Sequence, residues 1–355
     1  ARIMARIMAR IMARIMARIM MKYLAIPGKN LSLVLGAICI GIALTVPWFS
    51  LFYDSPFLLR FASRVLIFAL AATALNFIMG YGGLVSFGHA LFFGLGAYSV
   101  AIPASLGLEN GFMQFGLGLM ICAAIGYGVG LIALRTSGIG FIMISLAFAQ
   151  MFYYVFVGLK NFGGDDGLSI AQGSQFFAVN LAQTSQLYHT ALASLLLCIL
   201  ASKLIAKARF GMVLRGAAMN KPRLESLGYD VRKIQLIAFV VAAMVTGFAG
   251  LLYANLTLYA APSYLAWPMS GDFIIIVVLG GLARSIGPFI GALALLLAEE
   301  LLQSQTEHWM FWLGAMIVAL ALSGKGGIVD GVDASLTAWR NFRLSLSRHS
   351  KTRKG

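Results

Sequence analysis

The sequence predicts an all-α polytopic membrane protein of about ten transmembrane helices. Three observations carry that expectation. The 355 residues are 60% hydrophobic and only 11% charged, with a mean hydropathy of +0.88, far from the composition of a soluble globular domain. Apolar stretches of about 20 residues recur, the length that crosses a hydrocarbon core of about 30 Å, and the alternating ten-residue segments of a barrel are absent. Lys and Arg gather between and after the apolar stretches, as they do where short basic loops are retained on the cytoplasmic side.

The elements follow in chain order. Residues 1–20 are five identical copies of Ala-Arg-Ile-Met, followed by Met21. Such a repeat reads as an added leader or a mis-called start, with a basic amphipathic helix on the inner membrane surface as the alternative; it is set apart from the fold. A transmembrane domain is expected over 21–332 and a basic cytoplasmic tail over 333–355. The spans are 31–49, 57–80, 84–105, 112–134, 139–159, 188–206, 234–259, 272–281, 288–302 and 309–322. The third is Gly-rich and leaves room for a re-entrant section. The eighth and ninth are short and separated by a turn at 284–287. GxxxG spacings at Gly126–Gly130 and Gly287–Gly291 permit close helix approach.

Charge fixes the orientation. The longest basic segment, 203–233, carries Lys203, Lys207, Arg209, Arg215, Lys221, Arg223, Arg232 and Lys233 against Glu225 and Asp230. With that segment inside, parity places 21–30, 81–83, 135–138, 284–287 and the tail inside too. Of the 27 Lys and Arg, five lie in the repeat; three of the rest, Arg60, Arg64 and Lys160, fall outside, and the remainder inside. The outside loops hold Asp54, Glu109, Asp165, Asp166 and Glu307, with Asp272 at a span end. Both termini are then cytoplasmic, and the net charge of +15 needs no nucleic-acid partner.

Catalytic chemistry finds little support. His89, His189, His308 and His349 are far apart in sequence with no metal-ligand spacing, and Gly324-Lys325 lacks the rest of a phosphate-binding loop. Cys39, Cys122 and Cys198 lie in apolar spans, so no disulfide framework is expected. No voltage-sensor ladder or carbonyl filter is present. Ionisable residues within spans are scarce: Arg60, Arg64, His89, Asp272 and the pair Glu299–Glu300, most of them near span ends. A proton- or sodium-coupled carrier needs such groups near the midplane, so a path powered from elsewhere fits better.

Three segments stand out from this background. The first runs Asn76-Phe-Ile-Met-Gly80-Tyr81-Gly82-Gly83-Leu-Val-Ser86-Phe-Gly88-His89-Ala-Leu-Phe-Phe-Gly94-Leu-Gly96-Ala-Tyr98. The second is Asn161-Phe-Gly163-Gly164-Asp165-Asp166-Gly167-Leu168. The third runs from Arg209-Phe210-Gly211 through Arg215, Asn220, Arg223 and Glu225-Ser-Leu227-Gly228 to Tyr229. Apolar and basic residues alternate through 210–229 as in a short amphipathic helix lying on another protein or, alternatively, on a lipid surface. Gly228 is the expected helix stop, where a left-handed conformation suits glycine.

With these motifs in order, and with Gly280-Gly281-Leu282, Gly287-Pro288 and Gly291-Ala292 after them, the chain resembles the M-type permease subunit of branched-chain amino acid ABC importers over roughly 66–332. It departs from that pattern at 216–219, less charged than usual, and at Ala283-Arg284, where a glycine is usual. The resemblance implies a permease bundle in a bacterial inner membrane, paired with a second homologous permease subunit as a heterodimer. It further implies two cytoplasmic ATPase subunits that bind the ATP, a periplasmic substrate-binding protein, and no cofactor or catalytic site of its own. Transport of leucine, isoleucine and valine by alternating access follows from it, with a urea or short-amide permease, or an ATPase-independent secondary transporter, as alternatives. On the same basis Phe210, Arg215, Asn220, Arg223, Glu225, Leu227 and Gly228 are expected at the ATPase contact. Asn76, Gly82, Gly83, Ser86 and His89 are expected along the pathway, where bonding between neighbouring helices is an equal reading. Asp165 and Asp166 are expected either towards the binding protein or on a solvated loop.

Overall fold

The computed structural model describes residues 56–322 except 109, 177 and 178, together with the single positions 41, 45 and 47. The repeat at 1–20, the first span at 31–49 but for those three positions, Asp54, Glu109 and the tail at 333–355 lie outside the described residues. One compact unit is Thr45–Leu295; Leu296–Gly355 belongs with the N-terminal 44 residues to another.

Eleven α-helices are named here. Helix α1 (Pro56–Asn76) continues into a π-helical turn, Phe77–Tyr81, and α2 is His89–Ser105. Then come α3 (Gly111–Ala133), α4 (Ile139–Gly158) and α5 (Thr184–Lys207). Two short helices, α6 (Arg209–Met219) and α7 (Lys221–Ser226), precede α8 (Val231–Thr257). The described part closes with α9 (Trp267–Gly280), α10 (Gly287–Gln303) and α11 (Trp309–Leu322). Five segments among the described residues are long and apolar enough to cross a membrane: α1 with its π turn, α3, α4, α5 and α8. Helices α2 and α9 are shorter and apolar.

The bundle is built around α2 and α8. Almost every side chain of α2 is buried, from His89 to Ala101 without a break. Such all-round burial is what a helix with no polar stripe requires. The two backbones touch: a Cβ on Gly96 would fall on the Gly247 carbonyl, and one on Gly250 on the Phe93 carbonyl. The Gly126–Gly130 pair of α3 packs on Ala243, Leu236 and Phe239 of α8, and Gly291 of α10 on the Ile276 carbonyl of α9. Both GxxxG spacings therefore serve close helix packing. A ring cluster fills the space beside them: Phe93 lies 5.3 Å from Phe273, and Phe68 5.6 Å from Tyr253 and 5.7 Å from Phe273. Buried hydroxyls bond back to their own helices, Thr73 to the Ala69 carbonyl and Thr246 to that of Ala242. Such local pairing is how a hydroxyl is accommodated where no water is available.

Three boundaries differ from the sequence expectation. Helix α2 begins at His89 rather than at 84, because Gly82, Gly83 and Gly88 bring no side chain to hold a helix and Gly83 adopts φ +65°. Helix α9 begins at Trp267 rather than at 272; Pro268 fits its first turn, which needs no proline N–H. The amphipathic segment 210–229 is two helices. Asn220 takes an extended conformation, its Oδ1 accepts from Arg223 N at 3.1 Å, and Pro222 opens α7. A residue that caps the next helix cannot continue the last one.

Two small antiparallel pairings tie down the loop after α4. Strand β1 (Leu168–Ser169) pairs with β4 (Tyr259–Ala260), and β2 (Gln175–Phe176) with β3 (Val179–Asn180).

Candidate functional site

The three sequence motifs fold to two ends of the bundle. At one end α1 finishes, α2 begins, and α6 packs against the end of α1, with α7 following it. At the other, α4 finishes and the loop 159–176 is held against the end of α8 and the strand after it.

At the first end Asn76 closes a polar clasp. Its Nδ2 donates to the Arg284 carbonyl at 3.0 Å, and its Oδ1 accepts from Ala283 N at 2.9 Å. The hydroxyl of Tyr81, one turn on, donates to the Ala283 carbonyl at 3.1 Å. Gly80 lies flat against the same turn, where an added Cβ would stand 2.5 Å from Ala283 N. Ala283 has φ +60°, a left-handed conformation that a residue with a Cβ adopts only when its surroundings impose it. The clasp supplies that constraint. Asn76→Ala takes the partner from the Ala283 N–H and one of two donors from the Arg284 carbonyl, which still accepts from Gly287 N at 3.2 Å, and is expected to lower stability by about 1–3 kcal/mol; thermal unfolding in detergent measures it.

The broken segment between α1 and α2 needs partners for its free N–H groups, since glycine at the N-cap brings none. Three serines provide them. Ser86 Oγ accepts from Gly88 N at 3.2 Å, Ser145 Oγ of α4 from Phe87 N at 3.1 Å, and Ser270 Oγ of α9 from Ala90 N at 2.8 Å. His89, 0% exposed, stands edge-on to Phe92 and Phe239 with ring centroids 5.9 and 5.7 Å away. Both of its ring nitrogens are without a hydrogen-bond partner among the described residues. The five candidate pathway residues thus come to one end, in different roles: Asn76 on the turn, Gly82 and Gly83 against α6, Ser86 as a cap, and His89 inside the aromatic core.

Helix α6 is two-faced. Gly211, Leu214 and Ala217 are buried, while Met212 and Met219 are 58% and 89% exposed on the opposite side, seven residues and two turns apart. The guanidinium of Arg215 sits 4.6 Å from the centroid of the Tyr81 ring. Phe210 is half-buried; Asn220, Arg223, Glu225 and Leu227 are exposed. Helix α7 ends in a full glycine stop: Gly228, φ +84°, donates to the Glu225 carbonyl at 3.0 Å, and Tyr229 N donates to the Leu224 carbonyl at 3.2 Å. Asp230 then caps α8 through Lys233 N at 3.2 Å. The hydrogen bonds from Lys233 hold the Asp230 carboxyl below its ordinary value. The cap's contribution is therefore present above the ordinary carboxylate range and fades as pH falls through the lowered value.

At the other end, Asp165 and Asp166 are exposed on a loop that is itself held firmly. The Tyr259 hydroxyl donates to the Asp166 carbonyl, and β1–β4 pairs the next residues. Ser174 N donates to Asn255 Oδ1 at 2.7 Å, and Ser174 Oγ to Gln114 Oε1 at 2.5 Å. Among the described residues no three His, Cys, Asp or Glu side chains come close enough together to hold a metal ion.

Sequence reasoning missed Tyr81, Ser145 and Ser270 as working parts. Tyr81 lay within the first motif; Ser145 and Ser270 carried no local signal, because their partners lie 58 and 180 residues away.

The family described as "Branched-chain amino acid transport system / permease component" matches residues 57–321. The chain is similar to the high-affinity branched-chain amino acid transport system permease protein LivM of Escherichia coli (strain K12), at 24% identity over 300 residues, covering 76% of this chain and 69% of the relative. The LivM protein of Salmonella typhimurium is 25% identical, with the same coverage. The permease protein LivH of Escherichia coli (strain K12) is 25% identical over 284 residues, covering 74% of this chain and 91% of the relative. No solved structure matches significantly.

Proposed function

Because this chain belongs to the permease component family of branched-chain amino acid transport systems and is a multi-pass membrane protein, we propose that it is the membrane subunit of an ATP-driven importer. It translocates leucine, isoleucine and valine, or related small polar solutes, into the cytoplasm by alternating access, in a bacterial inner membrane. It makes no covalent intermediate and has no ATPase site; two partner ATPases hydrolyse ATP. A second homologous permease subunit completes the path, and a periplasmic binding protein delivers the solute.

The observation that carries this reading is the two-faced coupling segment. Met212, Met219, Leu227 and Tyr229 are exposed along the same segment as Arg215, Arg223 and Glu225, large apolar side chains among charges, which is the pattern a protein groove recognises. A segment meant only for solvent has no use for four large exposed apolar side chains. Phe210, Asn220 and Gly228 set the shape of that segment through packing, the α7 cap and the α7 stop. At the opposite end Asp165 and Asp166 stand on a loop rigid enough to receive the binding protein. Gly82, Gly83, Ser86 and His89 line the hinge of the pathway, and Asn76 shapes it through the turn it holds.

Two measurements test this. Cysteines placed at Asp166 and Lys221 are expected to be labelled from outside and only from inside, respectively; outside labelling at Lys221 overturns the orientation. Uptake by the complex, supplied with its binding protein, is expected to be ATP-dependent and to be competed by leucine, isoleucine and valine. Competition by urea alone would assign the chain to the amide-carrying alternative.

A further inference from the structure

Resting on the reading that α6 and α7 seat an ATPase, we infer that Tyr81 is the mechanical link between that docking segment and the turn joining α9 to α10. One side of α6 meets the end of α1 at three neighbouring points. Leu214, fully buried, lies 3.3 Å from where a Cβ on Gly82 would stand, and Ala218 lies 3.1 Å from the equivalent position on Gly83. Between them the Arg215 guanidinium covers the Tyr81 ring at 4.6 Å. Residues 214, 215 and 218 share one helical face, so a shift or rotation of α6 acts on all three contacts together.

The far edge of the same tyrosine holds the turn. Its hydroxyl donates to the Ala283 carbonyl at 3.1 Å, beside the two Asn76 hydrogen bonds to residues 283 and 284. The turn in turn governs two helices, since the Gly280 and Gly287 backbones touch where α9 ends and α10 begins. Tyr81 itself closes the π-helical turn at 77–81, a departure from α-helical winding that accumulates at functional positions. The ring is thus gripped on its face by the docking helix and at its hydroxyl by a turn whose Ala283, at φ +60°, keeps its conformation only while it is held. Displacement of α6 pulls on the Ala283 carbonyl through a single side chain. Tyr81 is a positioning residue: it touches no solute and passes movement to the helices that do.

The test uses the full complex, with its partner permease, ATPases and binding protein, in proteoliposomes, and reads three quantities: ATPase subunits retained on purification, ATP hydrolysed, and solute moved per ATP. Tyr81→Phe keeps the ring under Arg215 and deletes only the hydroxyl. It is expected to retain the ATPase subunits and hydrolyse ATP near the wild-type rate, with solute moved per ATP falling about fivefold, the scale of one neutral hydrogen bond. Tyr81→Leu removes both grips and is expected to fall further at unchanged ATPase content. Wild-type solute per ATP in Tyr81→Phe overturns the link. So does a loss of uptake that tracks loss of ATPase subunits, which places the defect in docking. A wild-type complex that purifies without ATPase subunits removes the proposed function itself, and the link with it.

Discussion

Leu227→Asp is expected to abolish uptake while the protein inserts normally, and Gly228→Val to do the same by a different route. Leu227 is 67% exposed at the C-terminal end of α7, so it contributes little to the fold of this chain that its loss would remove. Burying a side chain of that size in a partner's groove is worth about 1.5–3 kcal/mol. Aspartate forfeits that term and adds the cost of desolvating a carboxylate, so association with the ATPase is expected to weaken by about a hundredfold or more. Gly228 has open space around its missing Cβ, with nothing within 4 Å, so steric clash with neighbours is not the issue. Its φ of +84° is. A β-branched residue there costs about 1–2 kcal/mol or more, and the chain escapes by breaking the hydrogen bonds from Gly228 and Tyr229 that end α7. The docking segment then loses its shape. Co-purification of the ATPase and uptake in membranes read both effects. Wild-type uptake by both variants, with the complex intact, would leave the docking reading without support and bring forward a carrier that works without an ATPase.

Gly96→Val is expected to eliminate folded protein altogether. The Cβ it adds falls on the Gly247 carbonyl, where α2 and α8 are in backbone contact. Retreat is blocked on the far side, because the space beside Gly247 is occupied by Cys122 Sγ of α3, and Gly250 sits on the Phe93 carbonyl one turn further along. Neither a rotamer change nor a small side-chain shift relieves a clash with main chain. The two central helices must separate, at a cost of about 3–5 kcal/mol or more. Gly128→Val is the control: nothing lies within 4 Å of that glycine, and the variant is expected to give a normal monodisperse peak in size-exclusion chromatography. Equal behaviour of the two variants would show that the α2–α8 contact does not hold the bundle together.

What the sequence determined by itself rests on two strong, local signals: apolar length and the position of glycine. Runs of about 20 apolar residues have few alternatives to a membrane helix, and the helices at 56–76, 111–133, 139–158, 184–207 and 231–257 begin and end within a few residues of the expected spans. Gly228 as a helix stop, and the two GxxxG pairs as packing sites, were equally legible, because a glycine's freedom is a property of the residue and its neighbours. Where the local signal was mixed, the reading slipped. The segment 210–229 had the periodicity of one helix, and only the cap at Asn220 followed by Pro222 divided it. The assembly of the site was decided by tertiary structure alone. Asn76 and Tyr81 meet a turn more than 200 residues away, Ser270 caps a helix 180 residues before it, and Ala283 holds a conformation that its own sequence disfavours. The reason is physical. In a bundle whose spanning helices are apolar on most sides, composition says that each lies in the membrane but not which helix it packs against. The choice falls to the few backbone groups left open at glycine breaks and helix ends, and their partners come from whichever helix the packing brings alongside.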